Sequence, residues 1–524
     1  MTRKKPSPTI VTLDCETDPF KYQRIPSPFI WGWFTDKGEY LEFKDTESLV
    51  EHMRSLDSKH IVYAHNGGFF DYQFLSDHID AGDIMIIKGR LAKCSIGNCE
   101  LRDSFLILPS SLASFEAGKL DFDYTKLEAD RREKHMEEIR EYLRADCESL
   151  MKIVKKFREE HGDALTLAGA AFKFWQRLSG KKGNGTGPLY ERIKPYYFGG
   201  RCQSLVEPCH IYEPLFYVDI NSAYPHAMAT LQHPIGGMQH VGKSIPDGKP
   251  YFITFTGVSY GNLPERVAGS MGYPFGRGTF HTTSWEFKTA QELGLIEVES
   301  IDKVIWFEET TDFSEYVNHW FGKRMEAKEK GDKAGEKICK LFLNSLYGKY
   351  ASNPMEYKRF FLGEEAPDER FKVMHHMIDR RHIWARELEK KEMNFYFLPT
   401  AASITGAVRA KLMRSLSQVD RPVYCDTDSI LCHGIGNLKI GKELGEWDIE
   451  FRPVEAHVAG RKLYALRGAD GTEKVASKGA QLEFRDIVTL VNGGTVIWTS
   501  DAPTMRLGQT VSFVNRRIAV DVEW

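Results

Sequence analysis

The tightest constraint in this 524-residue chain is the stretch Tyr424-Cys425-Asp426-Thr427-Asp428-Ser429-Ile430. Val423 and Tyr424 lead into it, and Ile430, Leu431 and Cys432 lead away, so the pattern predicts a β-hairpin bent at Asp-Thr-Asp. Two carboxylates at a tight bend repel each other. Unless something positive sits between them, one must take up a proton or the turn must open to water. A solvated acidic turn meets that requirement alone. A metal-binding turn needs partners, and the rest of the chain supplies them.

Composition narrows the classes. The formal net charge is −3, so no global basic field announces nucleic acid, although a basic groove can be offset by acidic surface elsewhere. The nine cysteines include no Cys-x-x-Cys pair, which fits a reducing compartment and argues against a disulfide framework or a zinc site. The apolar run Ile10 to Leu13 is too short for a signal peptide, and no segment is long enough to span a bilayer. The length suits roughly three or four domains.

Thr9 to Leu13 is a β-branched run, hence a strand, and it delivers Asp14 and Glu16 on one face. Ile61 to Ala64 predicts a second strand, followed by His65 to Asp71 and a helix through Phe74 and Leu75. Residues 137–157 have a helical period that puts Tyr142 and Asp146 on one face. Asp14, Glu16, Asp71 and Asp146 can therefore be aimed at one point, and four convergent carboxylates suit two divalent cations. Residues 180–187 read as a flexible connection, and Gly199-Gly200 beside Tyr197 lets backbone approach another chain closely. Phe216 to Ile220 predicts a strand carrying Asp219. Gly237 to Ser244 matches Gly-x4-Gly-Lys-Ser, but Pro246 and Pro250 forbid the helix that a phosphate loop must open, so the match is a coincidence. From Asn318 to Lys340 the chain is basic and helical; beyond it Lys340, Asn344 and Tyr347 share a face able to grip a triphosphate and stack a base. Residues 352–398 show no clear period.

Taken in order, Asp14-x-Glu16, Asn66-x3-Phe70-Asp71, Tyr142-x3-Asp146, Tyr197-x-Gly199-Gly200, Asp219-x2-Ser222-x-Tyr224-Pro225, Lys340-x3-Asn344-Ser345-x-Tyr347-Gly348, Asp426-Thr427-Asp428 and Lys462-x-Tyr464 resemble the motifs of proofreading family B DNA polymerases. Two long gaps, from Asp219 to Lys340 and from Gly348 to Asp426, with a short C-terminal region, resemble the protein-primed branch of small phages with linear genomes.

That resemblance implies an α/β and α+β multidomain fold: an RNase H-like 3′–5′ exonuclease domain followed by a right-hand polymerase with palm, fingers, thumb and two insertions. The expected segments are 1–165 exonuclease, 166–230 linker and first palm segment, 231–316 first terminal-protein-region insertion, 317–351 fingers, 352–398 second such insertion, 399–477 second palm segment and 478–524 thumb. It implies that Asp219, Asp426 and Asp428 run synthesis, with two Mg²⁺ (Mn²⁺ as a substitute) on Asp219, Asp428 and the Ile220 carbonyl. A second pair of ions falls to Asp14, Glu16, Asp71 and Asp146, with Tyr142 orienting water and Lys119 near the scissile phosphate. Asn66, Phe70, Phe74, Ser104 and Leu108 are implied contacts to a frayed strand, although Phe105 stands where the family usually has leucine. Ile220, Tyr224, Lys340, Asn344 and Tyr347 take the nucleotide, and Tyr224 excludes a ribose 2′-hydroxyl. Tyr197, Gly199, Gly200 and Arg409 hold template, with Val408 in place of the usual small residue; Lys462, Tyr464 and Lys478 hold primer. The implied partners are template and primer DNA, dNTPs and a terminal priming protein, for a monomer in the cytoplasm of an infected host cell. Two alternatives stay open: a compact polymerase extending ordinary primers, and a nuclease or nucleic-acid-binding protein with an inactive polymerase half. Intact Asp219, Asp426, Asp428 and Lys340 argue against the latter.

Overall fold

The fold is taken from a computed structural model that describes residues 7–19, 26–115, 122–181, 187–267, 269–353, 356–377, 379–389, 397–500 and 503–519. Lys119 and most of the 180–187 connection lie outside the described residues.

The amino-terminal half is built on a mixed sheet. Strand Thr9–Thr17 pairs in parallel with His60–Ala64 and antiparallel with Pro28–Thr35, so that Leu13 lies opposite Ala64 and Asp14 opposite Gly32. The β-branched residues Ile10, Val11, Ile61 and Val62 are buried, as a strand covered on both faces requires. Helix Met136–His161 crosses the front of this sheet. It approaches so closely that a Cβ on Gly32 would sit 2.9 Å from Leu143 Cγ, and the Thr12 hydroxyl donates to the Cys147 carbonyl at 2.8 Å.

The helix expected through Phe74 and Leu75 is replaced by two single 3₁₀ turns, Asp71–Gln73 and Ser76–His78. The Tyr72 hydroxyl explains why. It is pinned in the sheet, accepting from the Ala64 amide and lying within hydrogen-bond reach of the Val62 and Arg102 carbonyls, so the chain cannot wind on.

A larger departure concerns residues 352–398. Three strands form there, Lys358–Gly363, Lys372–His376 and His382–Glu387, and Lys358–Gly363 pairs with Gly82–Ile87 of the amino-terminal sheet. The result is one ten-stranded sheet, into whose core Phe360, Leu362, Ile383 and Ala385 are packed. Lys372–His376 is an edge strand with mostly exposed side chains, so no apolar alternation marks it.

The carboxy-terminal half has a five-stranded antiparallel sheet in the order Trp447–Phe451, Phe216–Ile220, Ser429–Gly434, Asp420–Asp426, Cys202–Ser204. Helices Ala223–Thr230 and Leu398–Leu416 cover one face through Ala223, Ala227, Val408 and Leu412. Residues 231–316 form a four-stranded sheet, His233–Gly242, Ile296–Thr311, Tyr251–Tyr260 and Phe275–Thr283, with helix Ser284–Glu292 packed on it. Gly237 to Gly242 lies inside a strand, and no helix follows it. The basic helical stretch is a hairpin of Ser314–Glu329 and Lys333–Tyr350, broken at Gly331 (φ 68°) and restarted by Asp332, which accepts from the Gly335 amide. Among the described residues no helix is long and apolar enough to cross a membrane.

Candidate functional site

The central strand Phe216–Ile220 turns Val218 and Ile220 into the core and leaves Asp219 half-buried, opposite Ser429 on one side and Asp448 on the other. The neighbouring hairpin bends where the sequence predicts. Thr427 takes a left-handed φ of 59° and donates its amide to the Arg201 carbonyl at 2.5 Å; the Asp428 amide donates to the Asp426 carbonyl, and the Asp428 carbonyl accepts from the Ile220 amide at 2.8 Å. Gly200 makes this possible, because a Cβ there would run into the Thr427 side chain.

The predicted conflict of charges is visible. Burial first, then Asp428 and Glu450, push the Asp219 carboxyl up to about 8, with Lys474 and Lys340 pulling the other way. Burial and then Asp426 push Asp428 up to about 6. Asp426 is ion-paired to Lys462 Nζ at 2.9 Å. Glu450, whose partner Lys474 stands 2.9 Å away, is a participant that sequence reasoning missed. It belongs to a strand whose register with Asp219 no local pattern encodes.

Facing this centre, Lys340 and Asn344 are exposed on their helix, and the Asn344 amide donates to the Lys340 carbonyl at 3.0 Å. Tyr347 stacks on Tyr224, with centroids 4.3 Å apart and planes 10° off parallel. Tyr197 and Gly199 flank the Gly200 contact. Two residues expected to contact DNA are buried against the protein itself. Arg409 is 2% exposed: it forms a two-bond pair with Glu286, at 2.7 and 3.0 Å, and also donates to the Phe198 and Gly199 carbonyls, so it holds the Gly-Gly loop from inside. Tyr464 is buried, with its hydroxyl donating to that of Tyr217 at 3.2 Å. Lys478 is exposed and shares a surface cleft with Arg516 and Arg517.

In the amino-terminal half Asp14 and Asp146 are half-buried, and Glu16 and Asp71 are buried. The buried Cys147 thiol is pushed far up by burial and then by Asp14, Asp146, Asp71 and Glu16, so all four carboxylates act on one point. Burial drives the Asp71 carboxyl up to about 7, and its Oδ1 has no hydrogen-bond partner among the described residues. Tyr142 stacks on Phe122 at 4.3 Å, shares a 2.9 Å hydrogen bond with the Tyr124 hydroxyl, and is pushed up by burial, Tyr124, Asp146 and Glu16. Phe70 and Phe74 meet edge to face at 5.1 Å, both half-buried.

Ser104 and Leu108, expected to touch a frayed strand, are instead buried. Ser104 Oγ donates to the Ala64 carbonyl, and Leu108 lies in the core between sheet and helices. The Asn66 side-chain oxygen accepts from Arg90 at 2.8 Å. Arg90 is itself clamped by Asp103 and lies over the rings of Phe69 and Phe105, a brace the sequence did not announce.

Among the described residues no three or more His, Cys, Asp or Glu side chains close into a ready metal cage. The donor chemistry nevertheless fits Mg²⁺, which binds through one or two carboxylates plus water and substrate phosphates rather than through an all-protein cage. The unsatisfied Asp71 oxygen and the raised carboxyls of Asp219 and Asp428 are what a cation would relieve.

Residues 119–440 match the family "DNA polymerase type B, organellar and viral". The chain is 36% identical over 559 aligned positions to the DNA-directed DNA polymerase of Enterobacteria phage PRD1, covering 99% of both chains. It is 27% identical to the DNA polymerase of Bacillus phage Nf, over 64% of this chain and 62% of that one. Its fold superposes on phi29 DNA polymerase complexed with primer-template DNA and incoming nucleotides at a TM-score of 0.77, with 18% identity, over 98% of this chain and 100% of that one.

Proposed function

The chain belongs to the type B DNA polymerases of organelles and viruses and is a DNA-directed DNA polymerase; on that premise we propose that it extends DNA at Asp219 and Asp428 and removes misincorporated 3′ ends at Asp14, Glu16, Asp71 and Asp146. The observation that carries the reading is the pair of separate carboxylate centres, Asp219 beside Asp428 on adjoining strands and Asp71 gathered with Asp14, Glu16 and Asp146, whose confinement pushes Asp219, Asp428 and Asp71 up.

Asp219 and Asp428 would hold Mg²⁺ for synthesis, and the four amino-terminal carboxylates would hold it for hydrolysis. The ions supply positive charge for in-line displacement at phosphorus and a hydroxide-generating Lewis acid. The chain's own groups do the rest. Lys340 and Asn344, exposed beside the centre, bind the triphosphate, and the stacked Tyr224–Tyr347 pair forms a flat wall for the sugar. Lys462 keeps Asp426 neutralised at the edge of the turn. Tyr142, held by Tyr124 beside Asp146 and Glu16, orients the attacking water. The test is Asp219→Asn assayed for primer extension and for single-strand degradation. Synthesis should vanish and degradation persist; near-normal extension refutes the assignment.

Priming from a protein hydroxyl and unwinding ahead of the fork belong to the same proposal, and the two folded insertions support it. The first is a sheet of its own beside the palm. The second continues the amino-terminal sheet, so deleting it whole would strip buried Phe360 and Leu362 from that core. A cleaner test uses the register: Gly363 lies directly opposite His382, so residues 364–381 can be replaced by an Asn-Gly turn. Filling of single-stranded template should survive and synthesis through duplex should fail, and equal strand displacement by both forms would sink the role. Initiation on a priming protein without any primer strand tests the first insertion.

A further inference from the structure

The first insertion reaches into the palm. Between two strands of its sheet, Tyr251–Tyr260 and Phe275–Thr283, the chain leaves as a small antiparallel ribbon of Glu265–Val267 and Ser270–Gly272, turned at Gly269 (φ 82°). Leu263, fully buried in the insertion's core, roots the ribbon, and the Glu265 carboxylate fixes it by accepting from the His281 amide at 2.9 Å.

This root aims Arg266 at the segment Pro195–Arg201, which runs into the edge strand Cys202–Ser204 of the palm sheet. The Arg266 guanidinium donates to the Tyr197 carbonyl at 2.6 Å and to the Pro195 carbonyl at 3.4 Å, and lies 4.5 Å from the centroid of Phe198. A planar fork that spans two carbonyls and covers a ring holds three residues with one side chain, which an ammonium cannot do. The far end of the segment is gripped from the same insertion. Arg201, 4% exposed, donates to the Asn262 side-chain oxygen at 3.2 Å and to the Gly261 carbonyl at 3.3 Å, and lies 4.3 Å from the centroid of Tyr273. What the segment touches gives the grip a consequence. The Arg201 carbonyl takes the Thr427 amide between the palm aspartates. At the near end, burial and then Tyr197 raise the Tyr347 hydroxyl, so Tyr197 stands beside the ring that stacks on Tyr224.

We infer that Arg266 is a positioning residue for nucleotide binding: through the Tyr197 carbonyl it keeps Tyr197 against the Tyr224–Tyr347 stack, so the first insertion shapes the nucleotide site of the palm. Arg266 acts through Tyr197 rather than on the nucleotide. The inference rests on the assignment of synthesis to Asp219 and of the nucleotide to the Tyr224–Tyr347 wall. Arg266 is exposed, so water replaces its bonds when it is removed and stability changes little; what is lost is the position of the segment.

Steady-state extension of a primed template by the full chain tests it, with Arg266→Ala, Arg266→Lys and, as the control for the centre itself, Asp219→Asn. In Arg266→Ala the KM for dNTP should rise about tenfold while kcat changes by less than about threefold, the pattern of binding lost equally from ground and transition states. Arg266→Lys, with one donor head in place of the fork, should fall between Arg266→Ala and the parent chain. Guanidinium ion, at concentrations that leave melting unchanged, should lower the raised KM of Arg266→Ala and leave that of the parent chain as it is. The melting midpoint should be the same in both Arg266 variants as in the parent. An unchanged KM in Arg266→Ala beside an inactive Asp219→Asn overturns the inference alone. So does a loss confined to kcat, or a loss that comes with earlier melting and is not relieved by guanidinium, which marks a structural role. Near-normal extension by Asp219→Asn overturns the assignment on which the inference rests.

Discussion

Behind each carboxylate centre lies an arginine removed from water, and the two are anchored differently. Arg90 joins Asp103, 13 residues away, and steadies Asn66 at the head of the loop that delivers Asp71. Arg409 joins Glu286, 123 residues away on the helix of the first insertion, and steadies the carbonyls beside Gly200, which wedges Thr427 between two aspartates. The amino-terminal centre is thus assembled within one sheet, whereas the palm centre leans on an insertion. The electrostatics differ in step. Lys340 and Lys474 act on Asp219, while Asp71 is surrounded by a thiol, amides and Asp103.

The largest effect should come from emptying one centre alone. Loss of groups behind a metal ligand already costs 10–100-fold, so Asp14→Ala with Glu16→Ala should lower 3′–5′ degradation by more than about 100-fold and leave extension near normal. Degradation that survives would refute their assignment to hydrolysis. Next comes the anchoring. Arg409→Met leaves buried Glu286 without its counter-charge, with only Thr283 still donating to it, and breaking a buried pair costs about 3–5 kcal/mol. Denaturant unfolding should show that loss, and the remaining folded molecules should lose extension before degradation. Arg90→Met should do the reverse. Equal loss of both activities in both variants would erase the distinction between a self-contained and a leaning centre.

Chelation separates the centres by pH. Both Asp219 and Asp71 are raised above the ordinary carboxyl range, so between about 4 and their folded values the native chain holds protons that the unfolded chain has released. Stability contributed by each group is complete below the unfolded value and falls as pH rises, by up to about 1.4 kcal/mol per pH unit. The window closes near 7 for Asp71 and near 8 for Asp219. In EDTA, melting should therefore fall from pH 5 to 8; Asp71→Asn should flatten the lower part of that fall, and Asp219→Asn should flatten it up to 8. Added Mg²⁺ should restore the high-pH loss. A flat profile in EDTA would mean that neither carboxyl is strained.

What the sequence made legible was local. The β-branched runs located the strands carrying Asp14 and Asp219, apolar flanks located the hairpin at Asp426, and helical spacing placed Tyr142 with Asp146 and Lys340 with Asn344. What it hid was long-range. Resemblance alone implies Arg409 as a template contact and Ser104 and Leu108 as contacts to a frayed strand, while the fold pairs Arg409 with Glu286 and buries Ser104 and Leu108, which no local pattern foretells. Glu450 joins the palm centre through a strand register that no spacing records. In 352–398 the strand Lys358–Gly363 takes one of its partners from a strand nearly three hundred residues earlier, and that pairing rather than its own alternation places it in the amino-terminal sheet.

The finest distinction between the halves is a ring. Tyr224 lies flat against Tyr347, so the palm and the helical hairpin touch through two aromatic faces, an arrangement worth about 0.5–1.5 kcal/mol beyond burial. A wall of this kind would discriminate by contact, since a 2′-hydroxyl placed against it would meet carbon and find no partner to compensate it. Tyr224→Val removes the wall but keeps a β-branched packing residue, and should raise ribonucleotide incorporation selectively while dNTP use changes little. Tyr347→Phe keeps the stack and should leave discrimination intact, which distinguishes loss of the wall from loosening of the hairpin. Degradation should be the same in both variants, because neither ring belongs to the amino-terminal half. Unchanged sugar choice in Tyr224→Val would move the gate to another residue, and a parallel change in degradation would show that the two centres are coupled through this contact.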